Sequence, residues 1–199
     1  MGMVAVRAPS SDKDVERILA TVGAPVARRK RPALTVLAGL PATGKTRIAA
    51  ELRASTGAVV LESDELRRLL FRRRTYSALE SRRLFTAIHR TAARLLEEGV
   101  SVVLDATNVA EAERAPLYEM ARRHGARLVL VQVTAPPSLI RRRLAHRQTR
   151  GASRSEADVA VYERMRAREE QIQRSHHVAD TSKPIEPALA AIAKEMMKP

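Results

Sequence analysis

Short apolar runs alternate along this chain with longer stretches in which apolar positions recur every three or four residues. The short runs predict strands at 33–38 (ALTVLA), 58–62 (AVVLE), 101–106 (SVVLDA) and 127–133 (RLVLVQV), with a short fifth at 176–180 (HHVAD). The longer stretches predict helices near 44–54, 64–73, 77–98, 110–123, 136–148 and 155–173. Strands that are apolar throughout, rather than apolar at every second position, are covered on both faces. Their alternation with helices predicts an α/β fold built on a parallel sheet with helices on both sides.

Two flanking segments follow the helical period. Residues 12–28 place Val15, Ile18, Leu19 and Val22 on one face behind a cap at Ser11 or Asp12. The basic connector ARRKRP (27–32) then leads into the first strand, and EPALAAIAKEMM forms a C-terminal helix. The predicted organisation is an accessory helix with its connector over residues 1–31 and a main domain over 32–199.

Composition narrows the chemistry. The 199 residues, 45% of them apolar, suffice for one domain with a packed core. With no cysteine, the chain has no disulfide, thiolate metal site or catalytic thiol. No run approaches the roughly 18 apolar residues of a membrane span, and the first residues lack a secretory h-region; a cytoplasmic location is expected. The net charge of +14 favours polyanionic partners, nucleic acid among them. Aromatic residues at 3% with no tryptophan argue against a base-stacking platform.

The first strand runs into GLPATGKT, which meets G-x-x-x-x-G-K-[ST] at every fixed position. Gly39, Leu40, Pro41, Ala42, Thr43 and Gly44 form a loop whose N–H groups converge on phosphate, helped by the following helix N-terminus. Lys45 reaches the β- and γ-phosphates, and the Thr46 hydroxyl ligates Mg²⁺. The loop predicts a bound triphosphate and leaves open its fate: hydrolysis, transfer, or binding alone.

The remaining candidates fall beyond the carboxyl ends of the predicted strands, where open α/β sheets bind ligands. Asp64 opens a helix just past the second strand and is the candidate base that takes the proton of an acceptor hydroxyl. Arg67, one turn on, is a candidate for an anionic or polar part of the acceptor. The third strand ends in VVLDATN, a Walker-B-like pattern in which Asp105 holds Mg²⁺ directly or through water, or instead hydrogen-bonds Thr46 or the acceptor, with Thr107 and Asn108 beside it. A basic lid is expected over about 138–158 (SLIRRRLAHRQTRGASRSEAD), with a break at Gly151. It supplies an arginine to the moving phosphoryl group, and spacing leaves open which of Arg142, Arg143 and Arg147 that is. The five histidines show no metal-ligand spacing.

GLPATGKT, SDELR, DATN and RLAHR, in this order, resemble the P-loop kinases of the polynucleotide 5′-kinase type and the related zeta-toxin-like kinases, which carry an AAA-type ATP-binding domain. The resemblance covers roughly residues 33 to 182. It implies a P-loop NTPase fold with a five-stranded parallel sheet of order 2-3-1-4-5, and an ATP- and Mg²⁺-dependent phosphotransferase. It also implies that Asp64 is the general base, that Arg67 contacts a phosphate of the acceptor, and that Arg143 and Arg147 hold the ATP phosphates. Ser182, Lys183 and Pro184, in DTSKP, line the base pocket by the same resemblance. The expected function is transfer of the γ-phosphoryl of ATP to an acceptor hydroxyl, with a nucleic-acid 5′-hydroxyl as one acceptor. The alternatives are a kinase of a sugar, cyclitol, nucleoside or antibiotic, and a P-loop ATPase or nucleotide switch, for which no sensor motif is present.

Overall fold

A computed structural model describes residues 11–22, 27–150 and 159–198. The expected lid break at Gly151 and the adjoining residues to 158 lie outside these. The elements in chain order are α1 (Ser11–Val22), β1 (Ala33–Ala38), α2 (Lys45–Thr56), β2 (Val59–Glu62), α3 (Ser63–Leu70), α4 (Ala78–Glu97) and β3 (Val102–Asp105). They continue with α5 (Glu111–Arg123), β4 (Arg127–Thr134), α6 (Pro137–Arg150), α7 (Val159–Arg166), β5 (His177–Asp180) and α8 (Glu186–Met196).

The five strands form one sheet in the order β2-β3-β1-β4-β5, and every pairing is parallel. This is the α/β P-loop NTPase fold. β1 is central and buried along its whole length, so its side chains feed two cores in alternation. Leu34 and Val36 join Leu84, Leu95 and Leu117 from α4 and α5 on one face. Ala33 and Leu37 join Ile48 and Leu52 of α2 and Ile192 of α8 on the other.

The register aligns the functional strand ends. Leu37 of β1 and Glu62 of β2 both pair with Asp105 of β3, so three tips finish at one level. A smaller apolar cluster caps that end: Leu40 and Ala42 of the loop after β1 meet Val109, Ile140 and Leu144 of α6, and Tyr162 of α7. The root of the expected lid is thereby packed directly on the phosphate loop.

Two elements differ from expectation for a tertiary reason. The helix expected over 155–173 is described as α7 ending at Arg166. Its continuation turns away because the buried Arg114 guanidinium donates from Nη2 to the carbonyls of Glu170 and Gln171, while Glu170 N–H donates to Val109 O at 2.9 Å. The N-terminal helix ends at Val22 among the described residues and packs on α3 and α4. Ile18 is fully buried, and Arg83 clasps the buried Asp14 carboxylate with Nε and Nη2 at 2.7 and 2.9 Å. Arg90–Asp12 and Arg94–Glu16 pairs extend that seam, and Arg17 donates to Leu69 O at the end of α3.

Candidate active site

The turn from β1 into α2 is possible only with glycine at its first position. A Cβ on Gly39 would lie 2.3 Å from the Val133 carbonyl oxygen of β4, and Gly39 N–H is meanwhile taken by Thr107 O at 2.8 Å. Ala42 (φ 62°) and Gly44 (φ 104°) then adopt left-handed angles that turn the loop on itself. Leu40 O accepts from the Thr43 hydroxyl at 2.8 Å and tightens the bend. The N-terminus of α2 follows at once, which aims its first amides and its positive dipole end into the cradle.

Lys45 is buried and folds back along the loop, donating from Nζ to Gly39 O at 2.9 Å and Leu40 O at 3.0 Å. Its neighbour Thr46 donates to Asp105 Oδ2 at 2.7 Å. Burial pushes the Asp105 carboxyl up; Lys45 and the Thr46 hydroxyl pull it down, and the charge of Asp64 pushes it up again. The charge of Asp64 thus reaches Asp105 from the first turn of α3. Asp64 is half-buried in the first turn of α3, two residues past the Glu62–Asp105 register pair. A hydroxyl and a carboxylate facing each other across 2.7 Å, beside the cradle, are a fitting oxygen donor set for Mg²⁺ shared with phosphate oxygens.

Asn108 serves the scaffold. Held at φ 45°, it donates from Nδ2 to Leu37 O at 2.8 Å and ties the tip of β3 to β1. Arg114 stiffens the same tip from behind, donating from Nη1 to Asn108 O and Val109 O at 2.9 and 2.7 Å.

Arg67 does not face an open acceptor cleft. It is 6% exposed, its Nη1 is ion-paired with Glu80 of α4, and its guanidinium lies 4.6 Å from the Tyr76 ring centroid. Glu80 also accepts from Thr75 N–H at 2.6 Å and Thr75 Oγ1 at 2.8 Å. Burial opposes the charged form of Glu80, yet these donors and Arg67 outweigh it and hold the carboxyl at about 2. The α3–α4 connection, including an exposed Arg72-Arg73-Arg74 run and the left-handed Tyr76, is organised around this pair.

On the other side of the loop, Arg143 of α6 donates from Nη1 to Ala42 O, Thr43 O and Thr181 Oγ1 at 3.1, 3.2 and 2.9 Å, and from Nη2 to Thr181 O at 3.1 Å. Arg147 lies one turn further along α6, and its side chain is outside the described residues. Arg142 is exposed. Ser182, Lys183 and Pro184 form an exposed turn after β5, where Asp180 Oδ1 accepts from Ser182 N–H and Oγ at 2.9 and 2.7 Å. These bonds hold the Asp180 carboxyl below its ordinary value.

Two residues of this site carry no sequence signal. Thr181 stands beside the three residues singled out for the base pocket, and Arg114 is one arginine of many on a helix. Only the fold reveals that each grips main-chain carbonyls at the strand ends.

Known structures share this fold. Kti12 of Chaetomium thermophilum in complex with ADP-AlF3 superposes with a TM-score of 0.65 at 20% identity, covering 82% of this chain and 96% of that one. A gluconokinase from Sinorhizobium meliloti 1021 gives 0.59 at 19% identity, covering 85% and 91%. The Mycobacterium tuberculosis APS kinase CysC, in complex with AMPPNP and APS, gives 0.59 at 18%, covering 84% and 99%. The fold is thus one shared with P-loop kinases. No curated protein matches the sequence. Among the described residues, no helix is long and apolar enough to cross a membrane. Residues 34–172, from the first strand of the sheet through the segment held by Arg114, match the AAA domain family, and the chain belongs to it.

Proposed function

We propose that this protein is an ATP- and Mg²⁺-dependent phosphotransferase that moves the γ-phosphoryl group of ATP to an acceptor hydroxyl. The observation that carries the reading is the Thr46–Asp105 bond beside the Lys45 cradle, with Asp64 opening α3 two residues past the strand end that pairs with Asp105. A hydrolase requires only a positioned water at Asp64; a half-buried Asp64 in the first turn of α3 suits a bound alcohol.

In this reading Lys45 leaves the Gly39 and Leu40 carbonyls for the β- and γ-phosphates, and the amides at the start of α2 hold the remaining oxygens. Asp64 orients the acceptor hydroxyl and takes its proton as the new O–P bond forms and the bond to the β-phosphate oxygen breaks. Thr46 and Asp105 hold Mg²⁺, which neutralises charge on the phosphate oxygens when bound. Arg67, engaged by Glu80, positions α3 rather than touching the acceptor. Arg143 and Arg147 are the lid arginines, with Arg143 set against the phosphate loop, and Ser182, Lys183 and Pro184 border the base.

The exposed Arg72, Arg73 and Arg74 beside α3 and the +14 charge favour an anionic acceptor, with a nucleic-acid 5′-hydroxyl as the first candidate. A small alcohol is the second reading, favoured by the likeness to a gluconokinase and an APS kinase. Transfer of labelled γ-phosphate, screened over 5′-hydroxyl DNA and RNA oligomers and a panel of polyols, nucleosides and antibiotics, separates them. Label in an oligomer supports the first reading and label in a small alcohol the second. Label solely in inorganic phosphate, from a Lys45→Ala-sensitive activity, would replace both with an ATPase.

A further inference from the structure

The back of the phosphate loop is gripped as firmly as its front is shaped. Thr181 is fixed by its own N–H, which donates to Thr134 O at 2.9 Å at the end of β4. Its hydroxyl donates to Thr43 O at 2.5 Å and accepts from Arg143 Nη1 at 2.9 Å. The same Nη1 reaches Thr43 O and Ala42 O, and Nη2 returns to Thr181 O. The methyl of Thr181 completes the grip: a Cβ on Gly44 would lie 3.1 Å from Thr181 Cγ2, so the threonine packs against the bare Cα of that glycine.

In a planar trans peptide the C=O and N–H point in opposite directions. Holding the Thr43 carbonyl outward, against Thr181 and Arg143, therefore turns the Gly44 N–H inward. No acceptor among the described residues takes that N–H. The left-handed angle at Ala42 is not the preferred state of a free loop, so an outside hold helps to keep it populated.

We propose that Thr181, with Arg143 as its partner, is a positioning residue that aims the Gly44 amide at a bound phosphate chain. The β5–α8 turn and helix α6 thereby act on the cradle through one hydroxyl. The proposal rests on the reading of the loop as an ATP site, but not on which acceptor receives the phosphoryl group.

The test compares the wild-type chain with Thr181→Val, which keeps the shape and removes the hydroxyl, and Thr181→Ser, which restores it. Affinity is measured by calorimetry for Mg-ATP and for inorganic tripolyphosphate, and by NMR titration for adenosine. Loss of the hydroxyl's bond to Thr43 O and of the one it accepts from the charged Arg143, a net of about 1–2 kcal/mol, weakens ATP and tripolyphosphate about 5- to 30-fold in Thr181→Val. Adenosine stays within about twofold, and Thr181→Ser recovers most of the loss. A general loosening of the fold would lower all three affinities together, and that result overturns the proposal, as does unchanged tripolyphosphate binding in Thr181→Val. If Thr181→Val does not fold, Thr181→Ala is read by the same ratio of tripolyphosphate to adenosine affinity. Wild-type protein that binds tripolyphosphate yet transfers label to no acceptor removes the phosphotransferase reading and leaves the latch standing; protein that binds no phosphate chain removes both.

Discussion

Replacing Glu80 by alanine tests whether Arg67 belongs to the scaffold or to the acceptor. The Arg67 and Glu80 side chains are 7% and 6% exposed, and the Arg67 Nε already lacks a hydrogen-bond partner. Without Glu80 the guanidinium keeps, among the described residues, the Ser81 hydroxyl at 3.4 Å and the face of Tyr76. Breaking a buried pair by removing one partner costs about 3–5 kcal/mol, because a desolvated charge is left uncompensated. At roughly 2–4 °C per kcal/mol for a chain of this size, the melting temperature falls by about 6–20 °C. Urea unfolding followed by circular dichroism supplies the free energy directly. The double variant Arg67→Met, Glu80→Leu removes both charges and recovers most of the loss. The pair also sets an acid limit. Glu80 titrates at about 2 in the fold against 4.5 unperturbed, so its contribution is complete above about 4.5 and fades as pH falls towards 2. That part of the acid unfolding curve is absent in Glu80→Ala. A loss below about 1 kcal/mol in the single variant, or a double variant no better than the single, would refute the buried-pair account and return Arg67 to the acceptor.

Three further outcomes are expected. Asp64→Asn keeps Mg-ATP affinity within about threefold while transfer falls by about 10²–10⁴; near-normal transfer measured with labelled ATP would remove Asp64 as the base. Lys45→Ala loses turnover, since the amine that would reach the β- and γ-phosphates is gone; unchanged steady-state kinetics would contradict the cradle assignment. Gly39→Ala pushes a methyl to within 2.3 Å of Val133 O and abolishes ATP binding by calorimetry. Gly125→Ala, with nothing within 4 Å of the added atom, costs only the roughly 1 kcal/mol of a left-handed alanine and leaves binding intact.

The sheet was legible because β1 to β4 are short, mainly apolar runs alternating with helical stretches, and the first strand, 33–38, coincides with β1. The cradle was legible because glycine spacing, lysine and threonine are all local. What sequence could not supply was partnership across distance. Arg67 shares a helical face with Asp64, which suggested a common ligand, but its partner Glu80 lies 13 residues on, across a connection whose path is invisible in the pattern. The continuation expected of α7 carries suitable helical residues, and it is Arg114, more than fifty residues earlier, that draws it out of the helix. Thr181 lies 138 residues from the carbonyl it holds. Local propensity fixes elements; long-range hydrogen bonds decide how they end and which side chains remain available for chemistry.

The AAA domain match stops at residues 34 and 172, yet α1, β5 and α8 lie outside it and are sealed into the same two cores: Ile18, Ala179 and Ile192 are all buried. The unit that can be exchanged between relatives is therefore wider than the unit that marks their kinship. A chimera joined at 34 and 172 would inherit seams at both flanks of the sheet, with Arg83 meeting a foreign helix in place of Asp14 and the phosphate loop meeting a foreign residue in place of Thr181. Recombination cut at 11 and 198 would carry its own seals with it.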